Sequence, residues 1–303
     1  MQSPPEGPKK SFISTVITML VTSVCKQQDF GCSWYKKWRS ILSSSAHELD
    51  KESAQVWGQV WQGMHDEKTM HRKLWEWFAI SEALEQRGLL QKGRKGIGFA
   101  VGKEPLASIY ASRGCQVVAS DYTETSASQS WSESSQLAQS LRDIHWPGFL
   151  DYDDFVKRVQ YERIDMRDLA AIDAETYDFS WSSCSFEHLG SLENGIRFLL
   201  ESTKLLVKGG VGVHTTEFNL TSNTHTLDGG GSVIYRKTDI EQIDRRLRDV
   251  GCVLEGLNLD PGFLEHDVAF DYPPYYSHGR QHIKLRIDKY VSTSILLVIR
   301  KWV

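Results

Sequence analysis

The run Gly96-Ile97-Gly98-Phe99-Ala100-Val101-Gly102 constrains this chain more than any other segment, because it stands where a predicted strand turns into a predicted helix. Glycine has no Cβ, so it reaches positive φ and lets the backbone approach a bound group closely. The helix that follows offers unpaired N–H groups and a partial positive charge at its first turn. Strand, small-residue bend and helix in that order begin a parallel α/β layer, and the pattern continues downstream. Strands are predicted at 96–100, 116–121, 160–164, 177–182, 211–216, 252–257 and 291–300. Helices fit between them over 105–112, over 192–207 with Gly209-Gly210 as a left-handed cap, and over 238–250. The expectation is an α/β fold with a Rossmann-like sheet of about seven strands and helices on both faces, occupying residues 94–303.

Upstream of that domain, residues 1–10 carry three prolines and no apolar pattern, and are read as a disordered tail. Residues 11–93 are predicted to form an N-terminal helical cap. Trp34 and Trp38, then Trp57 and Trp61, recur four apart, a helical spacing, and the serines at 43–45 are expected to separate two helices. A third helix over 67–87 has Leu74, Trp77, Phe78, Ser81 and Leu84 as its core stripe, with Gly88 as its stop. His71, Arg72 and Lys73 in its first turn can reach a carboxylate. The apolar stretch 12–25 follows Lys9 and Lys10 but is too short to span a membrane, and it is read as an internal strand or helix start.

A 40% hydrophobic fraction provides for a substantial core, and a net charge of -4 gives no field that would draw the chain onto nucleic acid. The five scattered cysteines lack paired metal-ligand spacing, so no metal is expected and a reducing, cytoplasmic setting fits. His278 and His282 have ligand spacing only on a helix, which Gly279, Pro273 and Pro274 disfavour.

The chemistry-bearing residues gather at predicted strand ends. Asp121 closes the second strand about twenty residues after the bend, where an acid can accept from both hydroxyls of a ribose. Asp165-Met166 after the third strand offers an acceptor for an adenine amino group and a pad for its ring. The fourth strand leads into Ser182-Ser183-Cys184-Ser185-Phe186-Glu187-His188, small and polar, at the mouth of the crevice where open α/β sheets bind ligands; Ser183 is assigned to the cofactor there. The fifth ends in His214-Thr215-Thr216-Glu217 on the same rim. Two His/carboxylate pairs can supply a general base, His214 or His188, oriented by Glu217 or Glu187. The connection of roughly thirty residues before the last strand, holding Asp271, Tyr272, Tyr275, Tyr276 and three histidines, is long enough to imply a binding role.

Taken together, the stretch from Gly96 to Asp121, Asp165 and the Glu187-His188 region resemble class I S-adenosylmethionine-dependent methyltransferases. Val21-Thr22-Ser23, His71 through Glu76, Gly102-Lys103-Glu104-Pro105-Leu106 and His214 through Asn219 are similar to a group of these enzymes often encoded beside glycosyltransferases, over nearly the whole chain after the tail. The resemblance implies a sheet whose last strand is antiparallel, S-adenosylmethionine as cofactor, and a small-molecule or glycan acceptor methylated on oxygen. It places the methionine moiety at the bend, on Gly96, Gly98 and Gly102, the ribose on Asp121 and the adenine on Asp165 with Met166. Two positions depart from the pattern: Ala100 replaces the middle glycine, and Gly96 stands where many relatives carry an acid, for which Glu104 is the substitute. A nucleotide-dependent oxidoreductase would need a regular GxGxxG, which is missing. A non-catalytic module that kept the fold is the other alternative.

Overall fold

The structure, a computed structural model, describes residues 19–46, 51–122 and 137–303, with backbone alone for 51–56; the expected tail lies outside these residues. Its centre is a sheet of nine strands: β1 (Ser23–Val24), β2 (Lys95–Gly98), β3 (Gln116–Asp121), β4 (Val159–Arg163), β5 (Tyr177–Ser183), β6 (Leu206–Asn219), β7 (Cys252–Leu254), β8 (Leu285–Ile287) and β9 (Tyr290–Lys301). The order is β1-β9-β6-β5-β2-β3-β4, with β7 and β8 also paired to β9. Strands β2 to β6 are parallel, and β9 runs antiparallel to β6 from Val211↔Arg300 to Asn219↔Ser292. This is the Rossmann-like sheet anticipated from the sequence, including its antiparallel last strand. The order reverses at β2, whose neighbours are β3 on one side and β5 on the other. A crevice opens at such a point beyond the carboxyl ends of the strands.

Helices cover both faces. On one side lie α1 (Ser33–Ser45), α2 (Lys51–His65), α3 (Arg72–Gln86) and α4 (Leu106–Ser112); on the other lie α5 (Leu192–Lys204) and α6 (Lys237–Asp249). Side chains alternate accordingly. Phe179, Trp181, Val211, Val213, Leu296 and Val298 enter the core under α1 to α4, whereas Ile295, Leu297 and Ile299 enter the core under α5 and α6. Gly96 and Gly98 have a packing reason to be glycine. A Cβ on either would lie 2.2 Å from a ring atom, of Phe179 or of Trp181 respectively.

The N-terminal helices share their core with β5 and α4, and β1 adds Ser23 and Val24 to the edge of β9. The composition change near 93 is therefore not a break in packing. Helix α3 is buried on every side from Leu74 to Leu84, not along one stripe. Trp34 and Trp38 lie on α1 as the spacing implied; Trp57 and Trp61 lie in α2 on either side of a kink at Gly58 (φ 38°). The serines at 43–45 form the last turn of α1, because each hydroxyl bonds back to a carbonyl three or four residues earlier. Gly209-Gly210 does not cap a helix: α5 stops at Lys204, and Gly209, at φ 81°, lies in the irregular start of β6 where register shifts between Tyr177 and Phe179.

Candidate functional site

The bend is built as its composition implied. Phe99 N–H donates to Trp181 O (2.9 Å) and Val101 N–H to Ser120 O (3.0 Å), which clamps the turn between β5 and β3. Gly102 has φ 52°. Ala100 has φ 47°, a left-handed conformation that costs an L-residue roughly 1–2 kcal/mol. The turn thus keeps its glycine geometry at the position where Ala100 replaces the middle glycine, and Ala100 bears the strain.

Asp121 faces this bend. Its carboxylate accepts from the N–H groups of Tyr122 (2.9 Å), Ala138 (3.0 Å) and Gly102. Burial raises its pKa, and those three donors act against the rise. Glu104 follows at the foot of α4, fully buried, and accepts from Trp77 Nε1 (3.0 Å) and Trp181 Nε1 (3.2 Å). Burial pushes its pKa up to about 8 against the opposing pull of Lys73. As an acid for a cationic amine it would have to ionise against that burial. Asp165 is engaged by Arg167, whose guanidinium and backbone N–H it accepts at 2.6–3.0 Å, and this pairing holds its pKa low. Met166 is buried in the apolar core that also holds Ile97 and Phe99.

A second constellation lies where β5 and β6 end. Helix α3 begins beneath them: His71 is its N-cap, accepting from Lys73 N–H at Nδ1 (3.1 Å), and Arg72, Lys73 and Glu76 follow. Glu76, fully buried, accepts from Lys73 Nζ (2.6 Å), Ser183 Oγ (3.1 Å) and Ser294 Oγ (2.5 Å). Burial would raise its pKa, but Lys73 and Arg72 hold it below the usual value. Arg72 is paired with Glu217, which also accepts from Ser292 Oγ (2.6 Å). Against the effect of burial, Arg72 keeps Glu217 ionised, whereas burial and the charge on Glu217 push Glu187 up to about 8. Glu187 accepts from Thr216 Oγ1 (3.1 Å). Cys184, at φ 46°, adds a strained backbone at the end of β5. Ligand atoms of Cys184, Glu187 and Glu217 lie within 4.8 Å of one another, a grouping the scattered cysteines did not announce. Arg72 already supplies the positive charge there.

His214 does not belong to this rim. It is 0% exposed, on the β6 face covered by α5, with Ser182 Oγ 2.8 Å from Nδ1, Ser180 Oγ 3.4 Å from Nε2 and Phe198 edge-on. Burial pushes its pKa down to about 3. The expectation that His214 acts as base is overturned, because side chains of a strand alternate and this one points under the sheet. His188 is placed differently. Half-buried, it holds Nδ1 2.7 Å from Gly231 O, and its charge state is coupled to Glu217, Lys73 and Arg72. A carbonyl can only accept, so Nδ1 carries the proton and the lone pair is on Nε2. Burial holds its pKa below the usual histidine value. Ser183 sits in this second constellation through its bond to Glu76, not at the bend.

The long connection closes over the start of α3. His282 N–H donates to Met70 O (3.1 Å), Arg72 N–H donates to His282 O (2.9 Å), and His282 Nδ1 donates to the buried Asp271 (2.9 Å). His71 stacks on His282 with centroids 4.7 Å apart and bonds the Tyr276 hydroxyl (3.0 Å). Sequence reasoning named these loop residues only as a group. The buried Glu76 was named only within the resembling segment and given no role, although an acid between Trp75 and Trp77 on an apolar helix was its signal.

No family model and no curated protein matches the chain. Among solved structures the chain is similar to a protein assigned as a sarcosine dimethylglycine methyltransferase from Galdieria sulphuraria (14% identity, 57% of this chain and 58% of that one, TM-score 0.40). It is also similar to an S-adenosylmethionine-dependent methyltransferase from Mesorhizobium loti (13%, 72% and 96%, TM-score 0.41). A third similarity is to the 1,6-didemethyltoxoflavin-N1-methyltransferase of Burkholderia thailandensis (14%, 88% and 88%, TM-score 0.43). The chain thus spans less than two thirds of the length of the Galdieria protein. Among the described residues no helix is long and apolar enough to cross a membrane.

Proposed function

We propose that the chain is an S-adenosylmethionine-dependent methyltransferase that methylates a hydroxyl of a sugar or glycan precursor. The observation that carries this reading is the carboxylate of Asp121 turned onto the Gly102 bend at the point where the sheet order reverses. That cradle fits an adenosyl ribose, with Asp121 accepting from its hydroxyls and the small residues of the bend admitting the methionine end. When bound, S-adenosylmethionine supplies an electrophilic methyl group on a sulfonium. The protein's part is to align the acceptor, exclude water and take its proton. His188 is the residue assigned to take that proton, because it follows β5 at the rim and is oriented there by Gly231. The sugar assignment is supported by the aromatic, histidine-bearing connection, whose exposed Tyr276 stands against the packed rings of His71 and His282.

His188→Ala is expected to lower kcat by roughly 10²–10⁴-fold while leaving S-adenosylhomocysteine affinity unchanged. Because burial lowers the His188 pKa, wild-type kcat should fall on the acid side only below the ordinary histidine range. A rate that falls below about pH 8 would move the base to Glu187, and a fully active His188→Ala would remove His188 from the mechanism. Cofactor binding with no methyl transfer to any cell extract would favour a non-catalytic module.

A further inference from the structure

Arg72 is the group in the second constellation whose bonding is incomplete. Nη2 is paired with Glu217, but Nη1 is buried and meets no hydrogen-bond partner among the described residues. Guanidinium presents its donors in a planar fork that matches two oxygens of a carboxylate or phosphate. A buried donor left unsatisfied is costly, so a ligand whose oxygen reaches Nη1 supplies the bond it lacks.

The surroundings point to the same ligand. The two cations are the open members of the cluster: the side chains of Arg72 and Lys73 are 14% and 25% exposed, while those of Glu76 and Glu217 are 0% and 5%. The cations thus lie nearer the surface than the carboxylates, with Nη1 of Arg72 itself shielded, so a ligand reaches it by displacing its cover. The backbone N–H of Arg72 donates to His282 O (2.9 Å), which places the residue against the loop that carries Tyr275 and Tyr276. Tyr276 covers this region at a positive φ of 67°, joined to the rest through its hydroxyl on His71 and its N–H on Asp271 (3.1 Å). Next to Cys184, the Ser185 hydroxyl is likewise buried without a partner among the described residues.

We propose that Arg72 binds, through Nη1, an anionic oxygen group, carboxylate or phosphate, on the acceptor. The assignment of that ligand as acceptor rests on the methyltransferase reading, while the anion site itself rests on Arg72. Such an acceptor is a sugar acid or a sugar phosphate, and the reaction that supplies it installs that charge before methylation.

The test titrates glucuronate, glucose 6-phosphate and glucose into the full chain, with and without S-adenosylhomocysteine. One or both charged sugars should bind at least about tenfold more tightly than glucose, the equivalent of one charge-assisted hydrogen bond. Preference for glucuronate identifies a carboxylate; preference for glucose 6-phosphate identifies a phosphate. Arg72→Gln should erase the preference and leave S-adenosylhomocysteine affinity unchanged. Where Arg72→Gln fails to fold, Arg72→Lys keeps the charge beside Glu217 but not the fork, and should weaken the preference severalfold. Equal binding of charged and neutral sugars, no binding of any of them, or a preference that survives in the variant overturns the proposal. Failure of S-adenosylhomocysteine to bind the wild type, with the anion preference intact, would instead overturn the methyltransferase reading alone.

Discussion

Glu76→Ala is expected to destabilise the fold by about 3–5 kcal/mol, the cost of breaking a buried ion pair by removing one partner. Glu76 receives Lys73, Ser183 and Ser294 at once, from three different elements. Without it, Lys73 retains only Ser183, whose carbonyl and hydroxyl are 3.4 and 3.5 Å away, and two buried hydroxyls lose their acceptor. Glu76→Gln keeps an acceptor oxygen and should lose less. The pH dependence has a definite sign. Because the folded-state pKa is depressed below 4.5, the contribution is present above that value and is lost as pH falls through the folded pKa. Denaturant unfolding of wild type and both variants checks this. A Glu76→Ala protein within about 1 kcal/mol of wild type would show that the cluster contributes little to stability.

Asp121→Ala should weaken S-adenosylhomocysteine by about 1–3 kcal/mol, the cost of leaving hydroxyl donors without an acceptor. The structure adds a second consequence. The same carboxylate anchors the N–H groups of Gly102, Tyr122 and Ala138, so the bend should loosen as well as lose its ribose contact. Asp121→Asn keeps one acceptor oxygen and should fall between wild type and alanine in both affinity and stability. Calorimetry and denaturant unfolding on the three proteins separate the two effects. Unchanged affinity in Asp121→Ala would detach Asp121 from the cofactor whatever the stability does.

The parallel sheet was legible because buried parallel strands read as apolar runs between amphipathic helices, and β3 was placed to the residue. Boundaries failed where local signals competed with pairing. The Gly209-Gly210 pair reads as a helix stop, yet β5 recruits the segment into a strand longer than its apolar run. The site was legible where it depends on order along the chain, as in bend, strand and Asp121. It was not legible where it depends on facing. Nothing near His214 says which side of β6 it takes until β5 brings Ser182 against it, whereas His188, beyond the strand, escapes that alternation. The roles of Glu76 and Asp271 were hidden for another reason. Buried acids are rare, and their partners, Ser294 and His282, lie far away or in a loop with no period to follow.

The most direct measurement is calorimetric titration of the full chain with S-adenosylhomocysteine, and separately with NAD and NADP. A bend facing Asp121 that holds an adenosyl sulfonium predicts saturable one-to-one binding of S-adenosylhomocysteine and no heat with either dinucleotide. Binding of a dinucleotide without S-adenosylhomocysteine, or of none of the three, would contradict it.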